Sequence, residues 1–275
     1  VTPRVSVVVV SYETRDDLAA CLGSLAAEGG PGLETTVVDN ASGDGSADLV
    51  ERDFPAVRLV RNARNEGFGA ACNRGASGTA APYLLFLNSD AQVTAGAVDA
   101  LARVLDERPD VAIVGPRTLN DDGTAQVSYG PALTPLAEWR QRRLVSGVAR
   151  RDPDALRIAQ ERSLRACEPD WVSGSCLMIR RRAFDAVSGF DEGFFLYEED
   201  VDLCVRVRAA GGRVRFEPAA TVVHRLGRSM AQVPDRARDA YDRSHVRYYR
   251  KHHGALAALL LRTALAARRL LPSRK

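Results

Sequence analysis

The feature that most constrains this chain is a repeated alternation of short β-forming runs with segments of helical spacing. "VSVVVV" at residues 5–10 is too short and too β-branched for a helix, and "DDLAACLGSLAAE" after it has helical periodicity. The pattern recurs: "LETTVV" precedes "GSADLVERDF", "VRLV" precedes "GFGAACNRGAS", "YLLFL" precedes "AGAVDALARVLDERP", and "VAIVG" follows. Continuous apolar strands alternating with helices predict an α/β fold, a parallel sheet buried on both faces by helices. Ligands of such a sheet bind beyond the carboxyl ends of its strands.

After Pro116 the alternation breaks down. Residues 120–168 mix turn signals ("NDDGT", "YGPALTP") with the arginine-rich "EWRQRRLVSGVARRDPDALRIAQERS", an excursion of loops and helix on the open side of the sheet. Strand-like "WVSGSCLMI" returns, followed by a helix, the acidic stretch "FFLYEEDVDLCVR", and strands at "RVRFEP" and "ATVVH". Two helical segments, roughly 234–252 and 255–271, are expected near the end, with no internal repeat.

The 275 residues, 45% hydrophobic and 27% charged, have the profile of a globular protein with one large domain or one domain plus an appendage. Net charge is only +3, but Lys251 and Lys275 are the sole lysines, and many of the arginines follow residue 140. Phosphates or lipid head groups, rather than nucleic acid, are the partners this implies. The five cysteines are odd in number and widely spaced, which fits neither a disulfide framework nor a zinc site and predicts a reducing, cytoplasmic setting. No signal peptide is expected from "RVSVVVVSYETRDDL", where charge follows the apolar run directly. Near the end, "ALAALLLRTALAARRLLPSRK" carries Arg262, Arg268 and Arg269, whereas a spanning helix needs about 20 largely uncharged residues. The segment either lies on a membrane surface with its arginines at the head groups or packs on the body.

Several strand ends carry polar residues. "VVDNASGDGS" places Asp39 at the edge of the second strand, where a carboxylate can accept hydrogen bonds from a base or ribose. Asp44 and Ser42 in the same loop are explained as turn or helix caps. "RNEGFGAACNRG" has Cys72 where a dinucleotide fingerprint has its third glycine, so it is a poor Rossmann match, yet its glycines permit close backbone approach to a ligand. "LLFLNSDA" discharges Asn88, Ser89 and Asp90 at a strand end; Asp90 is a candidate ligand for a hard cation or, equally, a cap of the next helix. His224, at the end of "ATVVH", is a lone histidine whose meaning depends on whether Asp90 is near.

In "FFLYEEDVDLCVR", carboxylates at a helix N-terminus gain about 0.3–1 kcal/mol each from the dipole, so some acidity needs no function. Asp202 faces Arg206 four residues on. Glu199 and Asp200 have no such partner, and a helix N-terminus is expected to keep a carboxylate ionised, as a base requires.

In this order, "SVVVVSY", "VVDNASGDGS", "RNEGFGAACNRG", "FLNSDA", "WVSGSCLMIRR", "GFDEGFFLYEEDVDLCVRVRAAG" and "VVHRLGRS" resemble the inverting glycosyltransferases of family 2, over about residues 4–230. The branch most similar is rhamnosyltransferase-like, acting on cell-envelope polysaccharide or lipid-linked intermediates. The resemblance implies the GT-A fold, a mostly parallel Rossmann-like central sheet flanked by helices, with a C-terminal helical appendage. It implies a transferase domain over 1–230, divided into a nucleotide-binding half (1–118) and an acceptor-binding half (119–230), followed by C-terminal helices over 231–275.

The resemblance further implies that Asp39 contacts the nucleobase while Ser11, Tyr12, Asn65 and Gly67 line the nucleotide site. Asn88-Ser89-Asp90 stands at the family's D-x-D metal motif with Asn in the first place, which leaves Asp90, with His224, to hold Mg2+ or Mn2+. Asp200 falls on the general base, Glu199 on an acceptor contact, and Trp171, Gly174 and Ser175 border the acceptor site. The donor implied is a nucleotide-diphosphate sugar, dTDP-rhamnose first, with UDP-galactofuranose or UDP-N-acetylglucosamine as alternatives. The acceptor implied is a glycan or lipid-linked glycan, with peripheral contact to the inner face of the cell membrane as a further expectation. The Q-x-x-R-W element of processive members is absent, so transfer of one sugar or few is expected. A nucleotidyltransferase would carry a G-x-G-x-R loop where this chain has "SYETRDDL"; a non-catalytic sugar-nucleotide-binding relative is the other alternative.

Overall fold

A computed structural model describes residues 3–28, 32–225 and 234–270. Eight strands form one sheet in the order β3-β2-β1-β4-β9-β6-β10-β5. Strands β1 (Val5–Ser11), β2 (Leu33–Asp39), β3 (Arg58–Arg61) and β4 (Tyr83–Asn88) are mutually parallel. So are β6 (Val111–Leu119) and β10 (Arg213–His224), whereas β9 (Cys176–Arg180) and the short β5 (Ala91–Val93) run antiparallel to their neighbours. The sheet is thus mostly parallel, and its chain order reverses between β1 and β4.

Burial on both faces explains why β1 reads as unbroken valine. Val5, Val7 and Val9 pack beneath α1 (Arg15–Glu28), α2 (Ser46–Asp53) and α4 (Ala97–Glu107), through Leu18, Leu22, Leu49 and Leu101. Val8 and Val10 face α3 (Phe68–Ala76), α7 (Arg181–Ala186) and α8 (Glu199–Ala209), through Ala71, Cys72, Phe184 and Leu203. Each fully buried valine or leucine stabilises by about 1.5–3 kcal/mol, so this central strand is pinned from both sides.

Two strand assignments change. "WVSGSCLMI" is not continuous: Trp171–Val172 (β8) pairs with Tyr129–Gly130 (β7) in a separate two-stranded sheet, and the chain breaks at residues 173–175 before entering β9. "RVRFEP" and "ATVVH" are one strand, β10, because a register shift between Glu217 and Thr221 absorbs Pro218 without ending the ladder. Between β7 and β8 the excursion folds as α5 (Pro135–Ala149), capped by Thr134, and α6 (Pro153–Ser163), capped by Asp152.

Helices α9 (Pro234–His252) and α10 (Gly254–Leu270) follow. A third cluster joins them to the body: Tyr248, Tyr249 and Ala258 meet Leu133, Phe194 and Val201. Of the two alternatives raised for the last apolar segment, packing on the body is met in part: α10 packs through Ala257, Ala258 and Leu261 and leaves Leu256, Leu259 and Leu260 at 71%, 54% and 62% exposure. Among the described residues no helix is long and apolar enough to cross a membrane. The five cysteines are free. Residues 226–229 of "VVHRLGRS", the 230/231 boundary and Lys275 lie outside the described residues.

Candidate active site

A cleft of about 790 Å³ opens beyond the carboxyl ends of β1 and β4, where the strand order reverses. One wall is built by Tyr12 after β1, Asn65 and Gly67 before α3, and Asn88, Ser89 and Asp90 at the end of β4. Trp171, Gly174, Ser175, Glu199 and Asp200 also line the cleft, as does His224 at the end of β10. Ser11 and Asp39 do not line this cleft. Ser11 supports it from behind, through Thr14 (3.2 Å) to Ser89 (2.8 Å). Asp39 is buried at the end of β2; its Oδ2 accepts the Ser42 N–H at 3.1 Å, and its Oδ1 has no partner.

The question about Asp90 and His224 is decided by distance. His224 Nε2 lies 3.1 Å from Asp90 Oδ1, although the residues are far apart in sequence. Asp90 is not the cap of α4: the N–H groups of Gly96 and Val98 are taken by Glu28, each at 3.1 Å. The other ring nitrogen of His224 is 3.1 Å from Gln126 Oε1. With Nδ1–H donated to that amide, the Nε2 lone pair is left facing Asp90.

Asp200 is held by the turn that interrupts "WVSGSCLMI". The Gly174 N–H donates to Asp200 Oδ2 at 2.6 Å, and the Asn88 N–H donates to the Ser175 carbonyl at 2.9 Å. Residues 173–175 therefore tie the end of β4 to the start of α8. A strand could not do this, because its N–H groups would be committed to the ladder. Tyr197 and Glu198, just before α8, have φ of 71° and 67°, a left-handed conformation costing about 1–2 kcal/mol per residue without glycine. Gly67, at φ 88°, is required for a different reason: a Cβ there would collide with the Phe195 carbonyl, which accepts the Phe68 N–H at 2.9 Å.

The electrostatics correct one expectation. Burial pushes the Glu199 carboxyl well above the ordinary range, and the Asp200 charge beside it pushes the same way. Asp200 is also raised by burial, while the N–H groups of Gly174 and Val201 favour its ionised form. Its position at the start of α8 does not by itself keep Asp200 in the ordinary carboxylate range; desolvation outweighs the helix end. Two adjacent buried acids resist carrying two charges, and Glu199, whose Oε2 has no partner, is pushed up the more strongly.

The model of the family described as glycosyl transferase family 2 matches residues 6–187. The chain belongs to glycosyl transferase family 2. It is 31% identical over 245 residues to the N-acetylglucosaminyl-diphospho-decaprenol L-rhamnosyltransferase of Mycobacterium tuberculosis, covering 85% of this chain and 80% of that protein. A 55-residue stretch, 20% of this chain and 21% of the relative, is 46% identical to the rhamnosyltransferase WbbL of Escherichia coli K12. The structure of mannosyltransferase PcManGT from Pyrobaculum calidifontis with GDP-Man and Mn2+ matches with a TM-score of 0.59 at 20% identity, over 99% of this chain and 77% of that one. GalNAc-T7 with UDP, GalNAc and Mn2+ matches with a TM-score of 0.60 at 18% identity, over 82% of this chain and 44% of that one. These matches carry the GT-A fold expected from the ordered motifs.

Sequence reasoning missed part of this family 2 transferase's cleft. Gln126 lies in a turn-rich segment with nothing to mark it. Asn40, adjacent to Asp39, lines the cleft and donates to the Gly67 carbonyl at 3.2 Å. From α5 come Glu138, Gln141, Arg142 and Val145, and from α9 Tyr241. Their signal was the helical spacing of the arginine-rich stretch, which gives α5 one face toward the cleft but does not say which.

Proposed function

We propose that this transferase moves a single rhamnosyl group, with inversion, from dTDP-rhamnose to a hydroxyl of a lipid-linked glycan in cell-envelope synthesis. The observation that carries the reading is the meeting of the Asp90–His224 pair and Asp200 in one cleft. The choice of rhamnose and of a lipid-linked acceptor is supported by the M. tuberculosis relative, whose name states both.

Asp90 and His224 fit a divalent cation. Adjacent ligands of an octahedral ion, bonded at about 2.0–2.1 Å, sit about 3 Å apart, and these two atoms are 3.1 Å apart. The described residues contain no cluster of three or more His, Cys, Asp or Glu that could hold a metal. Two protein ligands with the rest from substrate phosphates is the usual arrangement for an ion bound together with a nucleotide. Mg2+ or Mn2+ held there would neutralise the charge that accumulates on the departing nucleoside diphosphate. The mixed oxygen and nitrogen donor set favours Mn2+ over Mg2+.

Tyr12 serves the nucleotide from the cleft itself, while Asp39, buried beside the cleft-lining Asn40 with its Oδ1 unpartnered, serves the base side from behind the lining. Asn65, Gly67, Asn88 and Ser89 complete the donor side. On the acceptor side, Asp200 takes the proton of the attacking hydroxyl as its oxygen bonds to the anomeric carbon and the bond to the phosphate oxygen breaks. Positioned base catalysis of this kind contributes about 10²–10⁴-fold. Glu199, Trp171, Gly174 and Ser175 border the acceptor.

The division of labour places donor binding in residues 1–118, acceptor binding in 119–230 and the C-terminal helices beyond. The exposed leucines of α10, interleaved with arginine, seat the protein on the anionic inner surface of the cell membrane. The test is a screen of nucleotide-diphosphate sugars for Mn2+-dependent donor turnover, followed by transfer to a polyprenyl-diphosphate-linked N-acetylglucosamine. Turnover of UDP-galactofuranose or UDP-N-acetylglucosamine in place of dTDP-rhamnose replaces the donor; turnover of none overturns the reading.

A further inference from the structure

The family match ends at residue 187, and α9 lies wholly beyond it, yet α9 holds the acidic segment at several points. Arg247 and Lys251 bind Asp191 at 2.8 and 2.7 Å. Ser244 Oγ donates to the Leu196 carbonyl at 2.7 Å. His245 Nδ1 meets Glu198 Oε1 at 2.6 Å, and Lys251 and His252 both reach Asp202, at 2.7 and 2.8 Å. Asp202, read in sequence as the partner of Arg206 alone, is in fact fully buried beneath α9, although the Arg206 pair forms as well, at 2.7 Å.

We propose that α9 is a splint for the turn that carries the base, and that His245 is a positioning residue which holds Glu198 and thereby fixes where Asp200 points. The inference rests on the reading of Asp200 as the base. Two successive left-handed residues, Tyr197 and Glu198, persist only where surrounding structure over-determines them. Here Ser244 fixes the main chain before them and His245 fixes the second side chain. His245 is 1% exposed and Glu198 6%, so water does not compete for the contact.

The second nitrogen of His245 extends the splint across the cleft. Nε2 lies 3.1 Å from Glu138 Oε2 on α5, so one ring connects α5 to Glu198, in the turn that precedes Asp200. The groups facing the ring are Glu138 and Arg142 from α5, Glu198 from the turn before α8, and Tyr241 and Tyr249 from α9 itself. A charged imidazole donates to both carboxylates at once; a neutral one donates to only one. Burial opposes charging the ring, but hydrogen bonds to Glu138 and Glu198 outweigh it and raise His245 to about 9. One of the two ties is therefore lost in the alkaline range.

The experiment compares full-length wild type with His245→Phe, His245→Gln and Ser244→Ala. Amide hydrogen exchange is followed over residues 191–203, and kcat and donor KM are followed from pH 6 to 10 with dTDP-rhamnose. In His245→Phe, exchange over 191–203 rises and kcat falls about 10- to 100-fold with KM changed less than about twofold, because small displacements of a reacting group cost rate more than binding. Wild-type kcat falls as pH rises through about 9, and His245→Gln lacks that limb. Unchanged exchange over 191–203 in His245→Phe, or a kcat within about twofold of wild type, overturns the proposal. If His245→Phe does not fold, Ser244→Ala, which removes one hydrogen bond to the same turn, decides by the same exchange criterion. If wild type does not turn over dTDP-rhamnose, the donor assignment fails while the exchange comparison still decides the splint.

Discussion

Gly174 sits against Asp200 so closely that a Cβ at residue 174 would lie 3.0 Å from the Asp200 Cβ and 3.3 Å from its Oδ2, while the Gly174 N–H donates to that same oxygen. The glycine proposed to border the acceptor is thus also a support of the proposed base. Gly174→Ala is expected to keep the fold, because residues 173–175 lie outside the sheets, and to shift the carboxylate by a few tenths of an ångström. Turnover should fall about 10- to 100-fold with nucleotide binding unchanged. Steady-state kinetics beside calorimetric nucleotide titration separates the two, and weakened nucleotide binding at wild-type kcat would contradict the assignment.

Asp200→Asn preserves shape and removes the carboxylate proposed as proton acceptor. The variant is expected to fold, to bind donor with wild-type affinity and to lose transfer by about 10²–10⁴-fold. In wild type, the raised Asp200 carboxyl predicts an acid limb in kcat/KM lying above the ordinary Asp value of 3.8. Transfer by Asp200→Asn at the wild-type rate would remove Asp200 as base.

The Asp90–His224 pair is tested by titrating Mn2+-dependent nucleotide binding. Asp90→Ala and His224→Ala should each abolish the metal-dependent part of the affinity. Gln126→Ala leaves both ligands in place but frees the imidazole held through Nδ1, and a loss of about 10–100-fold in metal affinity is expected. An Asp90→Ala titration identical to wild type would refute the metal assignment, and an unaltered Gln126→Ala titration would refute the orienting role.

The first half of the sheet was legible because strands buried on both faces leave an unmistakable apolar pattern, and β1 and β4 follow it with their polar residues at the expected edge. The alternation says nothing of pairing direction, so β9 reads as an ordinary strand although it runs antiparallel between β4 and β6. Residues 173–175 were hidden because a strand and a strand interrupted by a turn share nearly the same composition. The splint was illegible for a different reason: Ser244, His245, Lys251 and His252 read as the polar face of a helix, and only the fold brings them to Leu196, Glu198 and Asp202.

Glu199 should make stability pH-dependent with a definite sign. Its folded-state carboxyl lies well above the ordinary glutamate value of 4.5, so its stabilising contribution is fully present below that value and is lost as pH rises through the folded value. Glu199→Gln keeps the shape and cannot ionise. Relative to wild type, its Tm should rise progressively as pH climbs above 4.5, since wild type alone must take up a proton on folding. A Tm difference constant across that range would show that Glu199 is ionised in the fold and that Asp200 carries the shared proton.

The exposed face of α10 separates membrane seating from packing more cleanly than deletion of the helix would. Removing α10 also strips Ala258 and Leu261 from the third cluster and would expose Tyr248 and Tyr249. Replacing Leu256, Leu259 and Leu260 with serine leaves that cluster untouched, because these side chains point away from it. A leucine seated at the acyl boundary stabilises by up to about 1.5–3 kcal/mol, so losing three lowers partitioning onto anionic vesicles by about 100-fold or more. Sedimentation with phosphatidylglycerol vesicles measures this, with turnover of a water-soluble acceptor as the internal control. Loss of sedimentation at unchanged soluble turnover supports membrane seating; sedimentation equal to wild type leaves α10 a packing helix and removes the membrane from its function.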